Sequence, residues 1–522
     1  LFFARDSSKS FFQKWIIKES NTHNPWLRMY LLGYDIGSSS IKAALVQADT
    51  GQTIGVAQHP SIEMDIQAPQ PGWAEQDPAI WWENVCVVTK KLLQQTNVQA
   101  VDIQAIGIAY QMHGLVLVDE KQQVLRPSII WCDSRAVEIG NEAFAKIGVE
   151  KSLTHFLNSP GNFTASKLKW VQENEPQLYH QVYKMMLPGD YIAMQLTGAI
   201  ATTVSGLSEG ILWDFQKNDL ADLVLNYYDI RKELIPNIIS AFGSQGIVSQ
   251  AAAKATGLRP GIPVTYRAGD QPNNALCLNV LNPGEVAATG GTSGVVYGVV
   301  DQPVYDSQSR VNGFAHVNHT AAQPRIGILL CINGAGIQYN WVRQHIAKGG
   351  ISYNEMEREA ALIPPGADDL RMLPFGNGAE RMLCNKNPGA QIIHLQFNRH
   401  TRPHLYRAAL EGIAFSFVYG IQILKNMGLQ IEGMRVGNDN LFQSDIFSTT
   451  IATLLNCKID VLNTTGAVGA AKAAGVGIGV YNTIEQAVGK GDLVRSYEPL
   501  AAMEAFRKAY QLWEQDLQKA VV

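Results

Sequence analysis

Two short β-turn-β patterns built on glycine and small hydroxyl residues limit the fold of this chain more than any other feature. The first runs from Leu31 to Val46 and sets Asp35, Gly37, Ser38, Ser39 and Ser40 between two β-prone runs. The second runs from Val286 to Gly298 and carries Gly291, Thr292 and Ser293 in the same position. Turns of this kind lack bulk, so backbone N–H groups and hydroxyls can close around a polyphosphate while a nearby aspartate holds its metal ion. One Gly-Ser turn is most often only a turn. Two of them, with an aspartate between, read as one nucleotide site split between two lobes.

At 522 residues the chain is too long for a single core, and the duplicated pattern argues for two large units. Runs such as Ala105 to Ala109 alternate with helical segments such as the one holding Trp81, Trp82, Val85 and Val88, which predicts an α/β fold. The boundary is expected close to Leu281-Asn282-Pro283-Gly284, giving an N-terminal lobe over 29–280 and a C-terminal lobe over 281–522. Met29 stands just before the first strand and is the expected native start. Residues 1–28 then form a non-native or disordered leader, the alternative being an amphipathic helix docked on the body.

Composition removes several function classes. A formal net charge of −4 without a cluster of Lys and Arg provides no footprint for nucleic acid, so none is expected as a partner. No run of about eighteen uncharged apolar residues is present, so no membrane span is expected. The stretch Phe11 to Glu19 is broken by charges and does not read as a signal peptide. Six scattered cysteines without C-x-x-C or Cys/His ligand spacing read as free thiols in a reducing cytoplasm. The anionic ligand must then be met by local dipoles and Mg²⁺.

Asp270 is the acid best suited to chemistry. It ends the strand that begins near Val264, and α/β proteins commonly bind ligands at the carboxyl ends of strands. There it can take the proton of an attacking hydroxyl, with the amide of Gln271 beside the substrate; the plain alternative is an Asx turn. Asp35 suits Mg²⁺, largely through water. Lys42 reads either as a phosphate contact or as a solvated strand residue. Ser39-Ser40-Ile41-Lys42 also spells S-x-x-K, but that acyl-enzyme motif should open a helix and the pattern here is β. His113 can bond a sugar hydroxyl while Met112 lines an apolar wall. Trp131, Asp133 and Arg135 fit a polyol site, a ring face covering C–H groups and charges binding hydroxyls; surface ion pairing is the alternative for the last two.

From about Tyr30 to its end the chain resembles the FGGY family of carbohydrate kinases. Phe163 to Val171 is similar to the family's first signature, with Asn162 at an opening position that is usually aromatic or small. Ala390 to Gly412 resembles the second, with His394 where glycine is usual. The resemblance implies two actin-like, ribonuclease-H-like lobes with ATP in the cleft and sugar held mainly by the first. It implies Asp270 as catalytic base, Asp35 with Gly37 and Ser38 to Ser40 as the first phosphate loop, and Gly291, Thr292 and Ser293 as the second. Gln111-Met112-His113-Gly114 is similar to a ketose-site motif, and Gly334 and Gln338 resemble positions beside the nucleotide. The adenine loop usually has three glycines, whereas this chain reads Val436-Gly437-Asn438-Asp439-Asn440, so Gly437 and Asn438 are its expected contacts.

Together these readings predict ATP- and Mg²⁺-dependent phosphorylation of D-xylulose at its terminal hydroxyl. A sister kinase acting on ribulose, another ketose or a sugar acid is the alternative within the class. A non-catalytic actin-like switch or sugar sensor is the alternative outside it. Dimerisation is a family-level expectation.

Overall fold

The computed structural model describes residues 29–489, 492–501 and 503–521; the leader expected over 1–28 lies outside the described residues. Its two main sheets repeat one plan. In the first, β1 (Tyr30–Ile36), β2 (Ile41–Gln47) and β3 (Thr53–His59) form an antiparallel meander, and β4 (Ile103–Tyr110) and β5 (Val264–Gly269) add in parallel on the other side of β1, giving the order β5-β4-β1-β2-β3. The second contains β6 (Glu285–Gly290), β7 (Gly294–Val300), β8 (Asn312–Ala315), β9 (Ile326–Ile332), β10 (Gly433–Gly437), β11 (Ile459–Asn463) and β12 (Asp492–Tyr497), in the order β8-β9-β7-β6-β10-β11-β12. Its segment β11-β10-β6-β7-β9 has the same parallel, parallel, antiparallel, antiparallel sequence of pairings. The two small-residue turns therefore occupy matching corners, between β1 and β2 and between β6 and β7.

Local chemistry explains the helices that frame these sheets. In α1 (Pro78–Thr96) Asp77 caps the first turn by accepting from Ala79 N at 2.9 Å, proline takes the first position, and Trp81, Val85, Val88 and Leu92 form the buried stripe. The helix packs on β2 and β3. Between β4 and β5 the chain adds α2 (Thr164–Asn174), α3 (Pro188–Thr197) and α4 (Val204–Glu209); β5 then runs directly into α5 (Asp270–Cys277).

In the second half, α6 (Gly336–His345) and α7 (Tyr353–Ala360) follow β9, and α8 (Arg402–Asn426) crosses the sheet beside α9 (Asp445–Leu455). Among the described residues α8 alone is long and apolar enough to cross a membrane, but 83% of its most apolar window is buried in the protein. It is a core helix, and α11 (Met503–Ala520) packs against it.

One helix crosses between the halves. After β11, α10 (Gly466–Gly477) packs onto β1, β4 and β5 of the first sheet, beside α5, which also touches β6 and β7. Backbones meet so closely there that a Cβ on Gly33 or Gly107 would run into the α10 carbonyls of Ala467 or Ala470. The small-residue run Gly469 to Gly475 is what permits this approach.

Candidate active site

Each small-residue turn is tied to its surroundings by its own carbonyls. In the first, Gly37 N donates to Ser40 O at 3.2 Å, Met64 N to Ser39 O at 2.8 Å, and Gln76 Nε2 to Ser38 O at 2.7 Å. In the second, Gly291 O and Thr292 O accept from Gly336 N at 3.0 Å and Ile337 N at 3.1 Å. The free N–H groups at the start of α6 are thereby spent on the turn. What remains for an anion is the turn itself, whose Thr292 and Ser293 are exposed, as is Ser39 in the first turn. Lys42 lies in β2 opposite Asp35, exposed, and acts on the carboxyl of Asp439 from the other half. Its strand pairing leaves no helix for an S-x-x-K nucleophile.

Asp35 and Asp270 are brought together by the first sheet. Both are partly exposed at the carboxyl ends of β1 and β5. Burial, then the charge of Asp35, pushes the Asp270 carboxyl up to about 7, against hydrogen bonds from Gln271 that pull it down. Burial also raises Asp35, opposed by Lys42. The first turn of α10 lies against Asp35: a Cβ on Gly466 would sit 2.7 Å from Asp35 Oδ2. Asn273, one turn after Asp270, donates from Nδ2 to Gly466 O at 3.0 Å and accepts from Tyr266 OH at 3.1 Å, tying α5 to α10. The positive end of the α10 dipole thus faces the aspartate.

The residues expected on the acceptor side follow β4, in the turn Gln111 to Gly114. Gln111 is 3% exposed and neither amide atom has a hydrogen-bond partner, a pattern that fits an absent polar ligand. Met112 is buried beside it, and Gly114 packs on Pro188. His113 donates from Nδ1 to Glu209 O at 3.0 Å, which leaves Nε2 as an acceptor. Burial and the Lys167 charge hold the ring neutral, pushing it down to about 3. Trp131 is 52% exposed and donates from Nε1 to Ser38 Oγ at 3.3 Å, joining its loop to the first small-residue turn.

Asp133 is fully buried and has another task. Its oxygens accept from Arg135 Nε (3.0 Å) and Nη2 (2.7 Å) and from Ala74 N (2.6 Å), while the guanidinium lies 3.8 Å from the Trp73 ring centre and 4.8 Å from that of Trp170. The pair is an interior clamp, neither a surface ion pair nor a free polyol contact.

A cleft of about 590 Å³ opens beside the second turn, within the usual ~300–1,000 Å³ of small-molecule sites. Gly291, Thr292, Tyr339, Tyr353, Asn440 and Leu441 contribute to its walls, and the rings of Tyr339 and Tyr353 stack at 5.4 Å. Gly437 and Asn438 stand at the end of β10, just before this wall; Asn438 N donates to Leu462 O and its carbonyl accepts from Gln443 Nε2. Gly334 is buried, its N–H held by Glu380 Oε1 at 2.8 Å. Gln338 turns toward Met372 Sδ at 3.7 Å and lines a neighbouring groove with Trp341 and Pro374. Neither lines the cleft.

Several residues of the site escape a reading of the sequence. Tyr339 and Asn340 lie on the cleft face of α6, whose start at Gly336 sets a phase that the residues alone do not declare. Asn440 belongs to the adenine-loop stretch and was within reach. Lys167 sits in the first signature, fully buried, its Nζ donating at 2.9 Å to both His113 O and Ile130 O, so that it ties the loop after β4 to the one that carries Trp131.

The model for the FGGY family of carbohydrate kinases, N-terminal domain, matches residues 30–277, and that for the C-terminal domain matches 286–478. The chain is 28% identical over 497 residues to the xylulose kinase of Escherichia coli (strain K12), covering 92% of this chain and 99% of that protein. It is 29% identical over 506 residues to the L-xylulose/3-keto-L-gulonate kinase of the same strain, covering 94% and 96%. Among solved structures, the xylulose kinase from Rhodospirillum rubrum superposes with a TM-score of 0.84 at 26% identity, over 94% of this chain and 98% of that one.

Proposed function

This chain belongs to the FGGY family of carbohydrate kinases and is a sugar kinase, and from that premise we propose that it phosphorylates D-xylulose at its terminal hydroxyl, using ATP. Its two matched sheets are the two actin-like, ribonuclease-H-like lobes of that family. Assignment of sugar binding to residues 29–280 and of nucleotide binding to 281–522, with α10 crossing back, is part of the proposal. Dimerisation and a cytoplasmic location rest on the family alone.

The observation that carries the reaction is Asp270. A carboxyl at about 7 is half ionised near neutral pH and basic enough to accept a hydroxyl proton as the hydroxyl attacks phosphorus. Gln271 and Gln111 orient the acceptor, His113 Nε2 accepts from one of its hydroxyls, and Met112 and Trp131 cover its C–H faces. Asp133 acts at one remove, holding the Trp131 loop through Arg135. The hydroxyls and N–H groups of the two turns hold the phosphates of ATP in line with the attack, Lys42 adds positive charge, and Tyr339 and Asn440 flank the base.

Mg²⁺ fits this donor set as an ion that arrives with the nucleotide. Among the described residues no group of three or more His, Cys, Asp or Glu could hold a metal by itself, whereas Asp35 offers hard oxygens beside the phosphate turn. Bound there, the ion neutralises charge on the phosphate oxygens. Closure of the cleft excludes water, which otherwise competes as acceptor.

D-xylulose is supported by the ketose-site residues Gln111 to Gly114 and by the xylulose kinase relative. A second acceptor class, another ketose or a sugar acid, draws support from the L-xylulose/3-keto-L-gulonate kinase relative. The test is ADP release with Mg-ATP and D-xylulose, D-ribulose, L-ribulose, glycerol or gluconate, compared as kcat/KM. D-xylulose should lead, because a site built for particular hydroxyls leaves its own polar groups unpaired with the others. A clear lead for another acceptor overturns the sugar assignment; no acceptor-dependent ADP overturns the reading as a whole.

A further inference from the structure

Glu209 takes no part in the chemistry described above, yet it touches both of its halves. It ends α4, and its side chain is 1% exposed. A Cβ on Gly269, the residue before Asp270, would lie 2.5 Å from Glu209 Oε2 and 2.6 Å from Met112 Cγ, so the carboxyl and the thioether close over that glycine together. The main-chain carbonyl of the same residue accepts the Nδ1 proton of His113 at 3.0 Å. One short segment thereby contacts both the backbone just before Asp270 and the ring of His113.

The surroundings decide the charge of this carboxyl. Tyr110 from β4 stands beside it, Asp270 and Asp190 lie within electrostatic reach, and Tyr297 approaches from β7. From the elements packed on α4 come Arg267 on β5, Asp214 and the neutral His316. Arg267 is the cation of this set, and it is engaged by Asp190 at 3.1 Å and Ala201 O at 2.9 Å. Asp214 is held by His155 at 2.9 Å. An ionised Glu209 would therefore be a buried anion next to two other acids and without a partner cation, Tyr110 and the His113 backbone being the neighbours that favour its charged form.

Taking Asp270 as the base, we propose that Glu209 is a positioning residue held as a neutral acid, which joins the acceptor-side turn to the backbone carrying that base. As a neutral acid it fills the space over Gly269 and supports His113 without adding charge beside Asp270. Burial, against a hydrogen bond from Tyr110, and the charges of Asp270 and Asp190 push its carboxyl well above the usual range, which favours the protonated form. When it ionises at alkaline pH, repulsion from Asp270 displaces the Gly269 segment and turnover falls.

Glu209→Gln and Glu209→Ala in the full chain test this. The amide keeps size and neutrality, so Glu209→Gln should stay within ~3-fold of wild-type kcat at neutral pH and hold its activity to higher pH than wild type. Glu209→Ala should lose ~10- to 100-fold in kcat, the scale of a slightly misplaced reacting group, with KM for ATP within ~2-fold. Infrared difference spectra taken just above the Asp270 range of about 7 should show a protonated-carboxyl band in wild type that Glu209→Gln lacks. The proposal is overturned if Glu209→Gln is as impaired as Glu209→Ala, if the alkaline limits coincide, if folded Glu209→Ala is unimpaired, or if the band persists in Glu209→Gln. Should no acceptor be turned over, the functional reading fails separately and the infrared comparison still decides the protonation of Glu209.

Discussion

Asp35 and Asp270 stand on strands that share one neighbour: Ala109 of β4 pairs with Asp35 on one side and with Ala268, two residues before Asp270, on the other. The parallel register therefore delivers two carboxyls to the same end of the sheet. Their mutual repulsion is part of what makes Asp270 basic.

Asp270→Asn should lower kcat by ~10²- to 10⁴-fold, the usual contribution of a positioned general base. In wild type, kcat/KM for the sugar should rise with pH through about 7, because the base works only when deprotonated. Stability has the opposite sign. Between 3.8 and about 7 the folded chain keeps a proton at Asp270 that the unfolded chain has lost, so folding stability falls as pH rises through that window. Thermal melting at neutral pH should accordingly show Asp270→Asn with a Tm no lower than wild type.

Asp35→Asn separates two effects. Loss of its charge removes a cause of the raised Asp270 pKa, so the acid limb of kcat/KM should move to lower pH. Weaker support for the metal-bound phosphates should at the same time raise KM for Mg-ATP, by ~10-fold if the carboxylate acts through water. Steady-state kinetics across pH reads both; an unmoved acid limb contradicts the coupling.

Lys167→Met removes the ammonium that spans His113 O and Ile130 O. The two acceptor-side loops lose their shared donor, and KM for the sugar should rise ~10-fold or more while KM for ATP stays within ~2-fold, since a buried carbonyl without a partner costs about 1–3 kcal/mol. Burial pushes the Lys167 amine down to about 7, below its ordinary value of 10.5. Between those values the unfolded chain holds the extra proton, so wild-type stability should rise with pH there, and Lys167→Met should flatten that part of the Tm profile.

Gly107→Ala tests the crossing helix. The added methyl would meet the carbonyl of Ala470, a backbone atom that cannot rotate away, and overpacking of this kind typically costs about 1–3 kcal/mol. Chemical denaturation should show that loss, and the lobes should separate more readily, raising KM for both substrates together.

The repeated plan was legible because it rests on local chemistry. Small residues at a turn and β-prone residues on either side announce a hairpin wherever they occur, and the close packing of Gly469 to Gly475 follows from size alone. Asp270 could be singled out because a strand followed by an acid is a local pattern with a known use. Asp133 could not be read in the same way. Its partners include Ala74 N, 59 residues away, and the tryptophans that sandwich Arg135 come from two other segments. Gln338 illustrates a further limit, since one residue of helical rotation sends it toward Met372 while Tyr339 faces the cleft.

By itself the sequence determined the hairpins, the acid at the end of β5, the small residues of α10 and the family signatures, because each depends on residues adjacent in the chain. Only the tertiary structure decided that α10 crosses to the first sheet, that Asp35 and Asp270 repel one another, that Asp133 is spent on Arg135, and that Glu209 packs over Gly269. Those facts depend on burial and on charges brought together over hundreds of residues. Desolvation and Coulomb energy act through space, and the order of residues along a chain does not record which distant groups will exclude water from one another.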